Sequence, residues 1–186
     1  MSQDSLSADV LRKIPLFDHM NDSERRQLAE AATIKQCQAG EEILRQGNKS
    51  QNLWIVLEGQ CEVYKESTAG DGCGPVMLAV LEPYSSFGEM TFFHPDTHSA
   101  SVRAKTPVKL MKMERLDYDE LVQDGASAAY KLACNAVDCL AERLRRMDDW
   151  VAELKCNVPT ATASAVNERV PEWTAFRDKL FTGWNL

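Results

Sequence analysis

Histidine is scarce in this chain: His19, His94 and His98 are its only three, and no two of them form a His-x-His pair. Six cysteines (Cys37, Cys61, Cys73, Cys134, Cys139 and Cys156) are scattered without one Cys-x-x-Cys. None has a histidine at zinc-ligand spacing, so a zinc ribbon or finger is excluded. A cupin-type metal site would need clustered ligands, and His94 with His98 alone does not complete one. The cysteines read as reduced and largely buried, with a redox or iron–sulfur role as the alternative. Long apolar runs are absent and the mean hydropathy is −0.35, which leaves no membrane-spanning helix. The opening "MSQDSLSADVLRK" has neither a basic start nor an apolar stretch, so no secretory signal is read and a cytoplasmic location is expected. No Lys/Arg-rich run exceeds "ERLRR", and the net charge is −7. An acidic chain gains little from counterion release, so no direct nucleic-acid partner is expected. Walker loops, dinucleotide fingerprints and nucleophile–base pairs are missing too. The chain is therefore expected not to be an enzyme, with no catalytic residue, no metal and no cofactor.

What is present divides the 186 residues into three textures. The first is helical. Asn21 with Glu24 three residues on predicts a capping box, followed by Leu28 and Ala32 at i,i+4. From Thr33 to about Met113 short apolar-alternating runs follow: Leu53–Lys65, Val76–Pro83, Ser99–Ala104 and Val108–Met113. Gly40, Gly59, "GDGCGP", Pro83 and Pro107 punctuate them. Many short strands with such punctuation predict a β-sandwich or barrel rather than βαβ units. From Leu116 helix returns. Tyr130, Ala133, Val137, Leu140, Leu144, Met147, Val151 and Leu154 alternate spacings of three and four, the a/d seam of a two-helix coiled coil. At its rim Arg143 would face Asp148 of a partner helix. The seam predicts a homodimer; an ordinary core helix is the alternative. Residues 156–170 read as a linker rich in Ala, Thr, Ser and Asn. Beyond it Trp173, Phe176, Leu180 and Trp184 share one face of an amphipathic tail, which either docks on its own protein or anchors a partner protein. Arg177 and Lys179 are offset by Glu172 and Asp178, so no membrane surface is expected. The domain reading is 1–156, with a long helix over about 116–155, then a linker and aromatic tail over 157–186.

Three stretches together carry a resemblance. "IPLFDHMNDSERRQLAEAATIKQCQAGEEILRQGNKSQNLWIVLEGQCEVYK" resembles the opening of cyclic-nucleotide-binding domains, "FGEM…SASVRAKT" looks like their phosphate-binding cassette, and a long helix follows. The likeness covers roughly Leu11 to Leu154 and points to sensory domains of the catabolite activator protein type, without the DNA-binding domain. Too few residues follow the long helix for a winged helix-turn-helix. The implied fold is α+β: a double-stranded β-helix, a jelly-roll-like β-roll, with N-terminal helices and a long C-terminal dimerisation helix.

The resemblance also implies a site built from Gly88, Glu89, Met90, His98, Ser99 and Ala100. Gly88 would let its backbone approach a ligand oxygen, and Glu89 matches the carboxylate that accepts a hydrogen bond from a ribose 2′-hydroxyl. "MTFF" would be a short helical turn whose amides suit an anion, and Ser99 matches a donor to the cyclic phosphate. A capping or turn role is the alternative for Glu89. His98 is the departure, because it stands where nucleotide-binding members carry an arginine whose charged fork meets the phosphate. Losing a desolvated charge partner costs about 2–5 kcal/mol, roughly 30-fold to several-thousand-fold in affinity. A bound phosphate could raise the His98 pKa and make the ring a cation, or Arg103 could supply a secondary phosphate contact; an outward strand position or a pairing with Glu89 is the alternative for Arg103. Phe92, Phe93 and Pro95 stand where the family commonly has small or aliphatic residues, and are expected to narrow the pocket. The functional expectation is a stand-alone dimeric regulatory module that senses cAMP, cGMP or another small anion. Its alternative is a degenerate cassette serving only as a dimerisation and docking scaffold.

Overall fold

The computed structural model describes residues 6–66 and 74–156. The aromatic tail, its linker and Cys73 lie outside these residues. The described residues fall into two units, one up to Leu140 and one from Ala141.

The first unit opens with helices. Helix α1 (Ala8–Leu11) is followed by a 3₁₀ turn over Pro15–Phe17 and by α2 (Asp22–Glu30). The capping box is formed as the sequence predicts. The Asn21 side-chain Oδ1 accepts from the Glu24 backbone amide at 2.9 Å, and the Glu24 carboxylate accepts from the Asn21 backbone amide at 2.8 Å. Eight strands then follow: β1 (Thr33–Cys37), β2 (Glu42–Leu44), β3 (Asn52–Glu58), β4 (Cys61–Lys65), β5 (Val76–Leu81), β6 (Ser86–Phe87), β7 (Ser101–Ala104) and β8 (Val108–Glu114). They pair antiparallel in two four-stranded sheets, ordered β1-β8-β3-β6 and β2-β7-β4-β5. A short helix α3 (Glu89–Phe93) separates β6 from β7. The fold is thus α+β with antiparallel sheets.

Strand β3 serves two cores at once, since successive side chains on a strand point to opposite faces. Leu53, Ile55 and Leu57 join Leu16, Phe17, Leu28, Phe92, Met111, Met113 and Tyr118 in a helix-covered core. Trp54 and Val56 face the other way and meet Cys37, Leu44, Cys61, Phe87, Val102 and Leu110 between the two sheets. Each fully buried Leu, Ile or Phe contributes about 1.5–3 kcal/mol. Most hydrophobic stabilisation therefore gathers on the two faces of one sheet.

The single helix read over about 116–155 is two helices, α4 (Arg115–Gln123) and α5 (Ser127–Cys156). Gly125 sits between them at φ +70°, in the left-handed region that favours glycine. Its amide donates to the Val122 carbonyl at 3.0 Å and the Ala126 amide to that of Leu121 at 2.9 Å, the bonds that close a Schellman turn. The three-and-four apolar period begins only at Tyr130, beyond this turn, and so gives no sign of the break.

Residues 127–140 of α5 are fastened to the N-terminal helices by polar grips as well as by Ala128, Ala129, Leu132 and Ala136. The Asn135 amide nitrogen donates to the Leu16 and Asp18 carbonyls at 2.9 and 2.8 Å. Glu24 accepts from the Ser127 hydroxyl and from Lys131 Nζ, both at 2.7 Å. The bond from Lys131, followed by those from Ser127 and the Asn21 amide, pulls the Glu24 carboxyl down from 4.5 to about 2. A folded-state pKa below the unfolded value gives stability that is present above about pH 4.5 and lost as pH falls through about 2. Thermal unfolding of wild type and Glu24→Gln should therefore differ at pH 6, with wild type the more stable. The gap should narrow steadily between pH 4.5 and pH 2; a constant gap would assign Glu24 a purely neutral bonding role.

Candidate functional site

Gly88 adopts φ +86°, ψ 0° at the N-terminus of α3, and its backbone runs flush against the start of β3. A Cβ placed there would lie 2.5 Å from the Asn52 carbonyl oxygen and 3.4 Å from Trp54 Cδ1. Conformation and close approach both require glycine. The next residue, Glu89, is 2% exposed and accepts a hydrogen bond from the Ser86 hydroxyl. A carboxyl group so enclosed depends on such partners, because removing it from water without them is expensive.

His98 is 5% exposed and occupies the interior rather than an open mouth. Its backbone amide donates to the Asn48 carbonyl at 2.9 Å, and its carbonyl accepts from the Gly47 amide at 2.9 Å. Its Nδ1 lies 3.2 Å from Thr91 Oγ1, and its Nε2 lies 2.7 Å from Ser50 Oγ. The Thr91 hydroxyl donates to the Gly88 carbonyl at 3.2 Å, so towards the ring it acts as acceptor. The proton therefore sits on Nδ1, and bare Nε2 accepts from the Ser50 hydroxyl. A closed chain of hydrogen bonds runs from the loop before β3 through the imidazole to the residue that starts α3. Burial pushes the His98 pKa down from its ordinary value of 6.5, so the ring is neutral at pH 7.

The remaining expected site residues divide. Ser99 is exposed and Ala100 half-buried just beyond His98, whereas Met90 turns its side chain to the surface. Arg103 lies on the opposite face of β7 from Val102 and Ala104. It pairs with Glu62, which faces it across β4, and stacks over the Tyr64 ring at 5.0 Å. Strand alternation thus carries the guanidinium outward, away from the two-sheet interior and from Glu89. Phe92 and Phe93 do not line a pocket as expected. They meet edge-to-face with ring centroids 5.0 Å apart, and both pack on Tyr118 of the helix-covered core. Pro95 is exposed.

Sequence reasoning missed Ser50, Ser86, Thr91 and Trp54. Thr91 could have been found as the one hydroxyl inside an apolar helical turn, and Ser86 as a hydroxyl three residues before Glu89. Ser50 carries no local signal, since it reaches His98 only through the fold. Arg115 was also missed. Its Nη1 donates to the Phe92 carbonyl at 2.7 Å, and its Nε to Asp119 at 2.8 Å, joining the end of α3 to α4. Among the described residues no three His, Cys, Asp or Glu side chains gather into a set that would hold a metal ion.

With this geometry in place, comparison with known proteins is decisive for the family. The sequence profile of the cyclic nucleotide-binding domain matches residues 34–124, which span β1 to the end of α4. Residues 34–124 belong to the cyclic nucleotide-binding domain family. The cAMP-dependent protein kinase regulatory subunit of Schizosaccharomyces pombe is 28% identical over 120 residues, 64% of this chain and 27% of that protein. The catabolite activator protein of Thermus thermophilus superposes with a TM-score of 0.66 at 28% identity, over 76% of this chain and 63% of that one. The regulatory domain of Toxoplasma gondii PKA, solved with cAMP, gives 0.58 at 25% identity, over 70% and 48%. The chain spans less than two thirds of the length of each of these three proteins. No helix among the described residues is long and apolar enough to cross a membrane.

Gly88→Ala should lower the unfolding free energy by about 1–3 kcal/mol, the range for a residue forced into a sparsely populated backbone region. Urea denaturation of the two chains measures it. A loss below about 0.5 kcal/mol would mean that α3 and β3 separate readily and that the close approach is not a constraint.

Proposed function

We propose that the chain is a dimeric regulatory module whose cassette takes cAMP, cGMP or another small anionic ligand, weakly, and passes its occupancy to the helices. The observation that carries this reading is Glu89: a carboxyl group enclosed in the interior beside a left-handed glycine, at the start of a helix too short to need it for folding. Membership of the family and the cAMP in the related Toxoplasma structure support the ligand class. The transmission route is physical. Arg115 grips the Phe92 carbonyl, so a displacement of α3 pulls on the first residue of α4. A ligand works through this contact only by binding its two arrangements unequally.

His98 sets the strength. A neutral imidazole with both nitrogens engaged gives a phosphate no charge, and protonating it means rebuilding a buried chain of hydrogen bonds. Isothermal titration with cAMP and cGMP at pH 7.5 and pH 6 should show weak binding of similar strength at both. His98→Arg should tighten it at least tenfold, within the range for restoring a desolvated charge partner. No heat at millimolar ligand in either chain would discard the nucleotide reading. It would favour the second one, a scaffold whose cassette has closed on itself, which the satisfied His98 chain already suggests.

The dimer rests on α5. Tyr130, Val137, Leu144 and Met147 are 74, 65, 55 and 59% exposed, whereas Leu132, Asn135 and Ala136 on the other side are buried in the protomer. An apolar stripe with a three-and-four spacing facing water fits a second copy of the same helix. Leu140 is half-buried within the same stripe; the side chains of Val151 and Leu154 lie outside the described ones. Sedimentation equilibrium should find a dimer that Leu144→Asp with Met147→Asp converts to monomer, with the far-UV spectrum of the β body unchanged. A dimer that survives both substitutions would remove α5 as the seam. A cytoplasmic home and a protein partner for the tail belong to the same reading.

A further inference from the structure

Among the described residues, one buried side-chain nitrogen has no hydrogen-bond partner at all: Nε1 of Trp54. The residue is 4% exposed and faces the space between the sheets with Phe87, its cross-strand partner, whose ring lies parallel at 6.1 Å. Buried indole N–H groups ordinarily find an acceptor, and leaving one unpaired is costly. A phenylalanine at this position would fill less of the space but would leave no donor unpaired. The direction of the orphan group is informative. Cδ1, the ring carbon bonded to Nε1, is the Trp54 atom nearest to where a Cβ on Gly88 would sit, at 3.4 Å. The N–H edge of the indole therefore borders the first residue of the cassette, next to Glu89.

The surroundings carry positive charge. Lys112, directly across from Trp54 on β8, holds its ammonium 5.7 Å from the ring centroid, and Lys35 on β1 holds its own at 5.9 Å. Each also pairs with an exposed carboxylate, Lys112 with Glu114 at 2.6 Å and Lys35 with Glu41 at 3.4 Å, and solvent screens both pairs. Two ammonium groups over an electron-rich ring make the donor more acidic and favour an anionic acceptor beside it. His98, by contrast, offers no charge.

We propose that the Trp54 Nε1–H is a ligand contact, a donor held for an anionic oxygen such as that of a phosphate group, with Lys35 and Lys112 supplying the cationic field. This rests on the reading of the cassette as a ligand site, and it moves the anion anchor from the histidine position to β3. Phosphate oxygen could arrive on a cyclic nucleotide or as the free ion, and the probes separate the two.

In the full chain, Trp150→Phe, Trp173→Phe and Trp184→Phe leave Trp54 as the sole indole, so its ¹⁵N–¹H signal stands alone. Titration of that chain with cAMP, cGMP and inorganic phosphate should move the signal downfield and slow its exchange with water. Response to a nucleotide but not to phosphate assigns the acceptor to the nucleotide; response to phosphate alone assigns it to the free anion. In the otherwise unchanged chain, Trp54→Phe should weaken binding of the responding probe about tenfold by calorimetry, with a melting temperature no lower than wild type. Binding by calorimetry with a stationary indole signal would overturn the Trp54 contact and leave the cassette reading standing. Absence of binding by all three probes at millimolar concentration would overturn the cassette reading, and this contact with it.

Discussion

Strand β3 must satisfy two cores with one backbone, and the rest of the structure is arranged around that constraint. Its odd-numbered residues Leu53, Ile55 and Leu57 close the helix-covered core, while Trp54 and Val56 close the space between the sheets. A slip of one residue would exchange these faces, placing an indole among the helices and exposing leucines to the cassette side. Register is therefore fixed by both cores at once. The cassette inherits that precision, because Gly88 lies directly on the Asn52 carbonyl that begins the strand.

The polar chain Ser50–His98–Thr91–Gly88 shows how a neutral ring comes to occupy a position where an arginine is expected. A guanidinium needs a counter-anion when buried; without ligand it would leave an uncompensated charge in the interior. An imidazole avoids that cost by burying neutral and using one nitrogen as donor and the other as acceptor. The hydrogen-bonded ring is thereby stable on its own terms, at the expense of attraction for a phosphate. The same reasoning makes the Trp54 N–H conspicuous. In an interior where His98, Glu89 and Thr91 all have partners, a single unpaired donor at the edge of Gly88 is the exception.

Much of this fold is legible in the amino-acid order because its signals are local. The Asn21–Glu24 capping box, the alternation of β3 and the glycine-punctuated strands each depend on residues within a few positions of one another. Gly88 and Glu89 are legible as a pair for the same reason. What the order conceals is long-range or directional. Whether Arg103 points in or out depends on a strand phase that one residue reverses, and the structure turns it to Glu62. Phe92 and Phe93 read as pocket residues until Tyr118, from a helix well beyond them in sequence, claims both rings. Gly125 breaks the helical stretch before the counted period begins at Tyr130, so that period carries no sign of the break.

The polar contacts that were invisible in the sequence are those that join elements. Ser50 to His98 links the loop before β3 to the loop between α3 and β7, and Arg115 to the Phe92 carbonyl links α3 to α4. Glu24 to Ser127 and Lys131, with Asn135 to Leu16 and Asp18, links the N-terminal helices to the start of α5. Apolar contacts tolerate small displacements, whereas hydrogen bonds near 2.7 Å weaken steeply when stretched or bent. A group entering beside Gly88 that moved α3 would therefore be felt first at the Phe92 carbonyl and then at α4, with Gly125 as the next place where the backbone turns. The residues of α5 that face water begin immediately after that turn. The chain of contacts thus runs from the cassette to the exposed apolar residues of α5.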